Sequence, residues 1–199
     1  MGFPFYTNAI FSYKGRYWGR PYSKPPALSG YHLVMRRSHY LFLSLLCLSL
    51  VTFAVVLQQV GYMGVAFLPC PLCILQRVGY LGIAISCFIA ASFSAVRRLF
   101  HGLAIAAAIY GLSISGHHVW LLSHPESSCG IDPLETWINQ FQLANDLPWL
   151  FKADGLCSAK LPAILGLQVP EWSALWFAVL LLTLSLTFFK SPPQRSNSA

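Results

Sequence analysis

Of 199 residues, 56% are hydrophobic and only 10% are charged, whereas an ordinary soluble domain is about 25% charged. With a mean hydropathy of +0.57 and long stretches free of charge, the chain reads as a multi-pass membrane protein rather than a large soluble core. The formal charge of +7 is topological and does not point to nucleic acid. Arg36, Arg37, Arg97, Arg98, Lys190 and Arg195 flank one set of span ends, while the acids Glu126, Asp132, Glu135, Asp146, Asp154 and Glu171 lie between the third and fourth apolar runs or at the edge of the fourth. That asymmetry follows the positive-inside rule and puts both termini in the cytoplasm.

Residues 1–38 are rich in Gly, Pro, Tyr and basic groups and contain no apolar h-region, so they do not make a signal peptide. They are expected to form a disordered cytoplasmic extension, with Met35 an alternative start. Residues 39–190 carry the membrane domain, and 191–199 a short cytoplasmic tail. The predicted spans run from Tyr40 to Val60, Ile74 to Val96, Leu99 to Leu122 and Trp172 to Phe189. The expected fold is therefore all-α, a four-helix transmembrane bundle with two non-cytoplasmic loops at 61–73 and 123–170. Cys47 and Cys87 lie inside spans, where a free cysteine packs as a small apolar residue.

At the mouth of the second span stands Pro69-Cys70-Pro71-Leu72-Cys73-Ile74-Leu75-Gln76-Arg77. A C-x-x-C pair closes into a tight disulfide, and its thiolate is stabilised at a helix N-terminus. Cys73 falls on the first turn, and Arg77 lies four residues on, on the same face. Arg77 reads either as a side chain snorkelling to the headgroups or as an intramembrane charge that binds or polarises a ligand. The third span contains the small-residue stretch Ala104 to Ala108 and closes with His117-His118-Val119-Trp120. His118 is a candidate ligand-binding group, against the reading of a hydrogen-bonded interfacial histidine.

The long loop carries Cys129 and Cys157. Within it Asp132-Pro133-Leu134-Glu135 reads as a helix start, and Leu134, Trp137, Ile138 and Phe141 form one apolar stripe. A short amphipathic helix is expected there, on the bilayer surface or packed on the protein.

Four loop cysteines could in principle bind zinc, but Cys129 and Cys157 are too far apart in sequence to form a second C-x-x-C, so no metal is expected. Two structural disulfides are a stronger alternative, although a bridge as tight as Cys70–Cys73 gains little from loop closure. The pattern points instead to a relay: the loop pair takes electrons from an outside dithiol, and the C-x-x-C pair re-oxidises it. Cys73, at membrane depth near Arg77, then passes electrons to a lipid-soluble acceptor, for which a quinone (ubiquinone or menaquinone) is the natural choice.

Pro69-Cys70-Pro71-Leu72-Cys73 with Arg77, the Cys129 loop, Gly155-Leu156-Cys157, and Leu165-Gly166-Leu167 to Pro170-Glu171-Trp172 resemble the DsbB family of disulfide-bond formation proteins over residues 39–190. The resemblance implies a four-helix bacterial inner-membrane oxidoreductase that re-oxidises a DsbA-like thioredoxin-fold oxidase in the periplasm. It implies further that Cys129 joins the partner in a mixed disulfide and that Cys157 attacks Cys70. Cys73 would then reduce the quinone, with Arg77 and His118 at the ring. A vitamin-K-epoxide-reductase-like enzyme is the nearest rival, but there the loop pair precedes a late C-x-x-C. A non-enzymatic scaffold with structural disulfides is the rival of another class, and Arg77 beside the C-x-x-C argues against it.

Overall fold

The computed structural model describes residues 36–65, 67–124, 133–159 and 161–189. The extension before residue 36 (Met35 included), Cys129, Asp132 and the tail from 190 onward lie outside the described residues. The described residues are all-helical: α1 (Arg37–Val60), α2 (Pro71–Ser92), α3 (Arg97–Ser123), α4 (Pro133–Asn139), α5 (Gln142–Asp146), α6 (Pro148–Phe151) and α7 (Val169–Phe189). Four of them, α1, α2, α3 and α7, are long and apolar enough to cross a membrane.

The span ends differ from the expected ones for reasons visible in the caps. α2 begins at Pro71 rather than Ile74, because proline has no N–H to leave unpaired at the first helical position. Cys70 is its N-cap, and the Cys70 sulfur accepts the Cys73 N–H at 3.4 Å. α2 also ends early, at Ser92, where Phe93 turns extended before Arg97 opens α3. α7 starts at Val169 rather than Trp172. The Glu171 carboxylate there accepts the Gln168 N–H at 2.7 Å, and Pro170 sits in the first turn.

α2 is the most enclosed of the four spans and packs against α1 and α3, while α3 packs against α7. The buried positions of α3 are His101, Ala104, Ala108, Gly111, Ser115, His118 and Leu122. Their spacing alternates three and four, so they form one seam, and most of them are small enough to let backbones approach. Phe177 of α7 fills the middle of this seam. Its ring lies so close to Gly111 that an added Cβ there would strike it, and it stacks on Tyr80 at 4.1 Å between centroids. At the basic end of the bundle His101 links three helices. Its Nδ1 pairs with the Tyr40 hydroxyl at 2.7 Å and its Nε2 with the Leu184 carbonyl at 3.0 Å.

The expected apolar stripe of the long loop divides in two. Leu134 and Ile138 face inward and pack with Ile74, Leu75 and Ala153. Trp137 and Phe141 face outward and form a T-shaped pair at 4.7 Å. α4 ends at Asn139, before Phe141, so a single helix does not carry the whole stripe. Asn139 braces the following segment by donating to the Ala153 carbonyl at 2.8 Å and accepting its N–H at 3.0 Å.

Candidate active site

The thiols sit where α2 begins. Cys70 and Cys73 are free thiols whose sulfurs are 3.2 Å apart, because an N-cap and the third helical position share one side of the first turn. Cys157 is brought to them by the loop that follows α6. The Asp154 and Gly155 N–H groups both donate to the Pro69 carbonyl, at 3.0 and 3.1 Å. Glycine is required at 155, since a Cβ there would collide with the Leu68 carbonyl oxygen. Two residues later, Cys157 packs with Cys70 and Leu72.

The three sulfurs do not share charge equally. Cys70 sets its S–H toward Cys157 and Cys73, and these bonds, with burial, raise the Cys70 thiol above its ordinary range. Cys157 is lowered, first by accepting from Cys70 and then by a backbone N–H at Leu72 and the neighbouring His118. Of Cys70 and Cys157, Cys157 is therefore the readier nucleophile.

Two sequence candidates from the spans join this group. His118 is buried on the α3 seam, with Nε2 3.7 Å from the Cys70 sulfur. Arg77 is 5% exposed, so it does not snorkel. It donates from Nη1 to the Leu150 carbonyl at 2.9 Å and from Nη2 to Gln58 Oε1 at 2.8 Å, joining α2 to α1 and α6. A guanidinium has five N–H donors, so these two bonds leave others for a ligand. His117 faces away and stacks on the exposed Trp120, which stacks in turn on His124. Cys47 and Cys87 are fully buried in the hydrophobic core among the spans.

Beside the sulfurs opens a cavity of about 290 Å³. Leu50, Ala54 and Leu57 of α1 and Trp172 and Trp176 of α7 form its apolar wall, while Cys73, Gln76, Arg77 and His118 supply polar groups. An apolar cavity with a few convergent polar groups is the usual form of a small-molecule site. Cys70, Cys73 and His118 also place one donor atom each within 4.8 Å of one another, a spacing close enough to hold a metal ion.

Sequence reasoning did not single out Gln58, Gln76 or Asn139. The first two had a signal, a polar amide within or at the edge of an apolar run, which in a membrane helix marks an interior-facing position. Gly155 was quoted with its motif, but its role at Leu68 comes only from the folded contact.

A four-span bundle that holds a dithiol at a helix N-terminus, a third cysteine against it and an apolar cavity alongside defines a membrane thiol oxidoreductase. Comparison with known proteins agrees. The family model described as disulfide bond formation protein DsbB matches residues 36–187. Disulfide bond formation protein B of Ralstonia nicotianae is 42% identical over 154 residues, covering 77% of this chain and 94% of that protein. The Cupriavidus necator protein of the same name is 44% identical over 75% of this chain and 91% of its own length. Disulfide bond formation protein B 1 of Pseudomonas putida is 39% identical over 79% of this chain and 93% of its own. The chain belongs to the DsbB family, and is a disulfide-forming membrane oxidoreductase.

Proposed function

We propose that this protein re-oxidises a DsbA-like thioredoxin-fold dithiol and passes the electrons to a membrane quinone. The observation that carries the reading is that Cys73, Arg77 and His118 line one apolar cavity while Cys157 packs against Cys70. In the reaction a partner thiolate attacks Cys129 of the Cys129–Cys157 disulfide, which forms the mixed disulfide and releases Cys157 as a thiolate. The partner's second thiol displaces Cys129, so the partner leaves oxidised and the loop pair is left as two thiols. The Cys157 thiolate then attacks Cys70 of the Cys70–Cys73 disulfide, a Cys157–Cys70 bond forms, and Cys73 leaves as a thiolate. Cys129 next attacks the Cys157 sulfur and displaces Cys70 as a thiolate, which restores the loop disulfide and leaves Cys70 and Cys73 reduced.

A quinone held in the cavity by Arg77 and His118 would supply a two-electron, two-proton acceptor for closure of the Cys70–Cys73 disulfide. Arg77 holds a positive charge at the cavity and would favour electron density gained by an acceptor there, in a setting drier than water. Leu50, Ala54 and Leu57 and the tryptophans of α7 surround the cavity with apolar side chains. The charge pattern supports an inner-membrane setting with cytoplasmic termini and thiols in the periplasm. Labels at Ser127 should react from outside and labels at Ser38 or Ser191 from the cytoplasm.

The test is quinone consumption by the purified protein with a reduced thioredoxin-fold partner. Ubiquinone and menaquinone analogues should each be offered, and one quinone should be lost per partner disulfide formed. Partner oxidation that proceeds with no quinone loss would end the proposal.

A further inference from the structure

Gln76 is 5% exposed, lies on α2 one residue before Arg77, and is used by nothing in the relay above. Its amide nitrogen stands 3.2 Å from His118 Nδ1. With the amide nitrogen on that side Nδ1 accepts, and a neutral imidazole that accepts at Nδ1 carries its proton on Nε2. Nε2 is the nitrogen that faces the Cys70 sulfur, at 3.7 Å.

We propose that Gln76 is a positioning residue that fixes the tautomer of His118, so that an N–H, not a lone pair, is presented to the sulfurs. The benefit falls on the exchange step. When Cys157 bonds to Cys70 and Cys73 departs with the electron pair, negative charge appears on a sulfur within 4.8 Å of this nitrogen. A donor held there in advance stabilises that charge without reorganisation. The opposite tautomer would point a lone pair at the departing thiolate. It would also give the Cys70, Cys73 and His118 trio a bare nitrogen, which is the form a metal ion binds. An amide at position 76 thus keeps the sulfurs available for exchange.

The experiment is ¹⁵N NMR of the full-length protein labelled at histidine in detergent micelles, with His118→Gln identifying the resonances. Spectra are taken between about pH 6 and pH 9, the range across which histidine neutralises. The expected result is a neutral His118 with protonated Nε2 and bare Nδ1. Gln76→Glu should invert the pair, because a carboxylate accepts from Nδ1–H. Gln76→Met, of similar length but without an amide, should leave a mixture. A wild-type Nδ1–H form, an imidazolium across the whole range, or an unchanged tautomer in Gln76→Met would overturn the proposal, and the wild-type reading needs no variant to fold.

A kinetic arm rests on the proposed relay. Gln76→Met should slow turnover at saturating quinone about two- to tenfold, as expected for one lost hydrogen bond. Turnover equal to wild type with the tautomer released would refute the positioning role. A wild-type protein with the expected tautomer but no quinone-coupled activity would count against the relay alone.

Discussion

One seam of α3 carries a buried histidine near each end, and the two do different things. His101, at the basic end, is closed between the Tyr40 hydroxyl and the Leu184 carbonyl. His118, at the thiol end, meets an amide on one nitrogen and a sulfur on the other, and borders a cavity. Both are less than 5% exposed and both are hydrogen-bonded, so neither burial nor pairing separates them. What separates them is the partner: polar atoms on neighbouring helices at one end, an exchangeable sulfur beside a cavity at the other. The cysteines divide the same way. Cys47 and Cys87 pack in the core of the spans, whereas Cys70, Cys73 and Cys157 meet at a helix N-terminus.

The strongest test of that division is loss of single thiols. Alanine at Cys70, Cys73, Cys129 or Cys157 should reduce quinone-coupled oxidation of the partner to background, and alanine at Cys47 or Cys87 should leave it near wild type. Cys157→Ala should also accumulate a partner complex through Cys129, visible on non-reducing gels. A complex trapped through Cys157 instead, in a Cys129→Ala protein, would reverse the loop assignment.

Arg77 comes next. Replacing a charge-assisted contact loses about 1.5–3 kcal/mol, so Arg77→Gln should raise the quinone KM roughly ten- to a hundredfold, with Arg77→Lys intermediate. Because Arg77 also holds the Leu150 carbonyl, glutamine should speed hydrogen exchange around α6. Faster exchange with an unchanged KM would make this arginine purely a tie between helices.

The two histidines sharpen the comparison directly. His118→Phe should cost about ten- to a hundredfold in turnover per folded molecule, since it removes a donor aimed at developing charge. His101→Phe should lower stability by about 1–3 kcal/mol, leaving the buried Tyr40 hydroxyl and Leu184 carbonyl without this partner, while activity per folded molecule persists. Unfolding in detergent and turnover on the same samples would show whether the effects cross over.

Gly155→Ala should slow the internal exchange about tenfold while mixed-disulfide formation at Cys129 continues, because overpacking against the Leu68 backbone costs about 1–3 kcal/mol. The smallest effect is in pH. Since Cys157 is lowered by its bond from Cys70, alkylation of Cys157 should fall off only below the point, about pH 8.5, where an ordinary thiol loses its thiolate. In Cys70→Ala the fall-off should move up in pH.

The four spans, the place of Cys73 on a first turn and the face it shares with Arg77 were legible because they follow from apolar run length and helical spacing. Cys70 as the cap was not read, although Pro71 signals it, because the span was set by hydropathy, which starts at Ile74. Gln58, Gln76 and Gly155 were missed for another reason. Each acts on a residue far away in sequence, Arg77, His118 or Leu68, and spacing along one helix is silent about which turn of another helix it will meet. His117 and His118 show the same limit: adjacent in sequence, one is exposed and the other buried, and only the packing of α2 reveals which one is inside.

The contact between Phe177 and Gly111 acts as a gauge for the whole thiol end. Sliding α7 by one residue would carry its side chains about 1.5 Å along the axis and about 100° around it. Trp172 and Trp176 would then leave the cavity wall they share with Arg77, and Ser173 would part from the Tyr80 hydroxyl. The ring can seat only where α3 presents a bare backbone, so that slide is blocked. The width of the slot beside Cys73 is thereby calibrated from the middle of the bundle, by a residue with no side chain and no part in the chemistry.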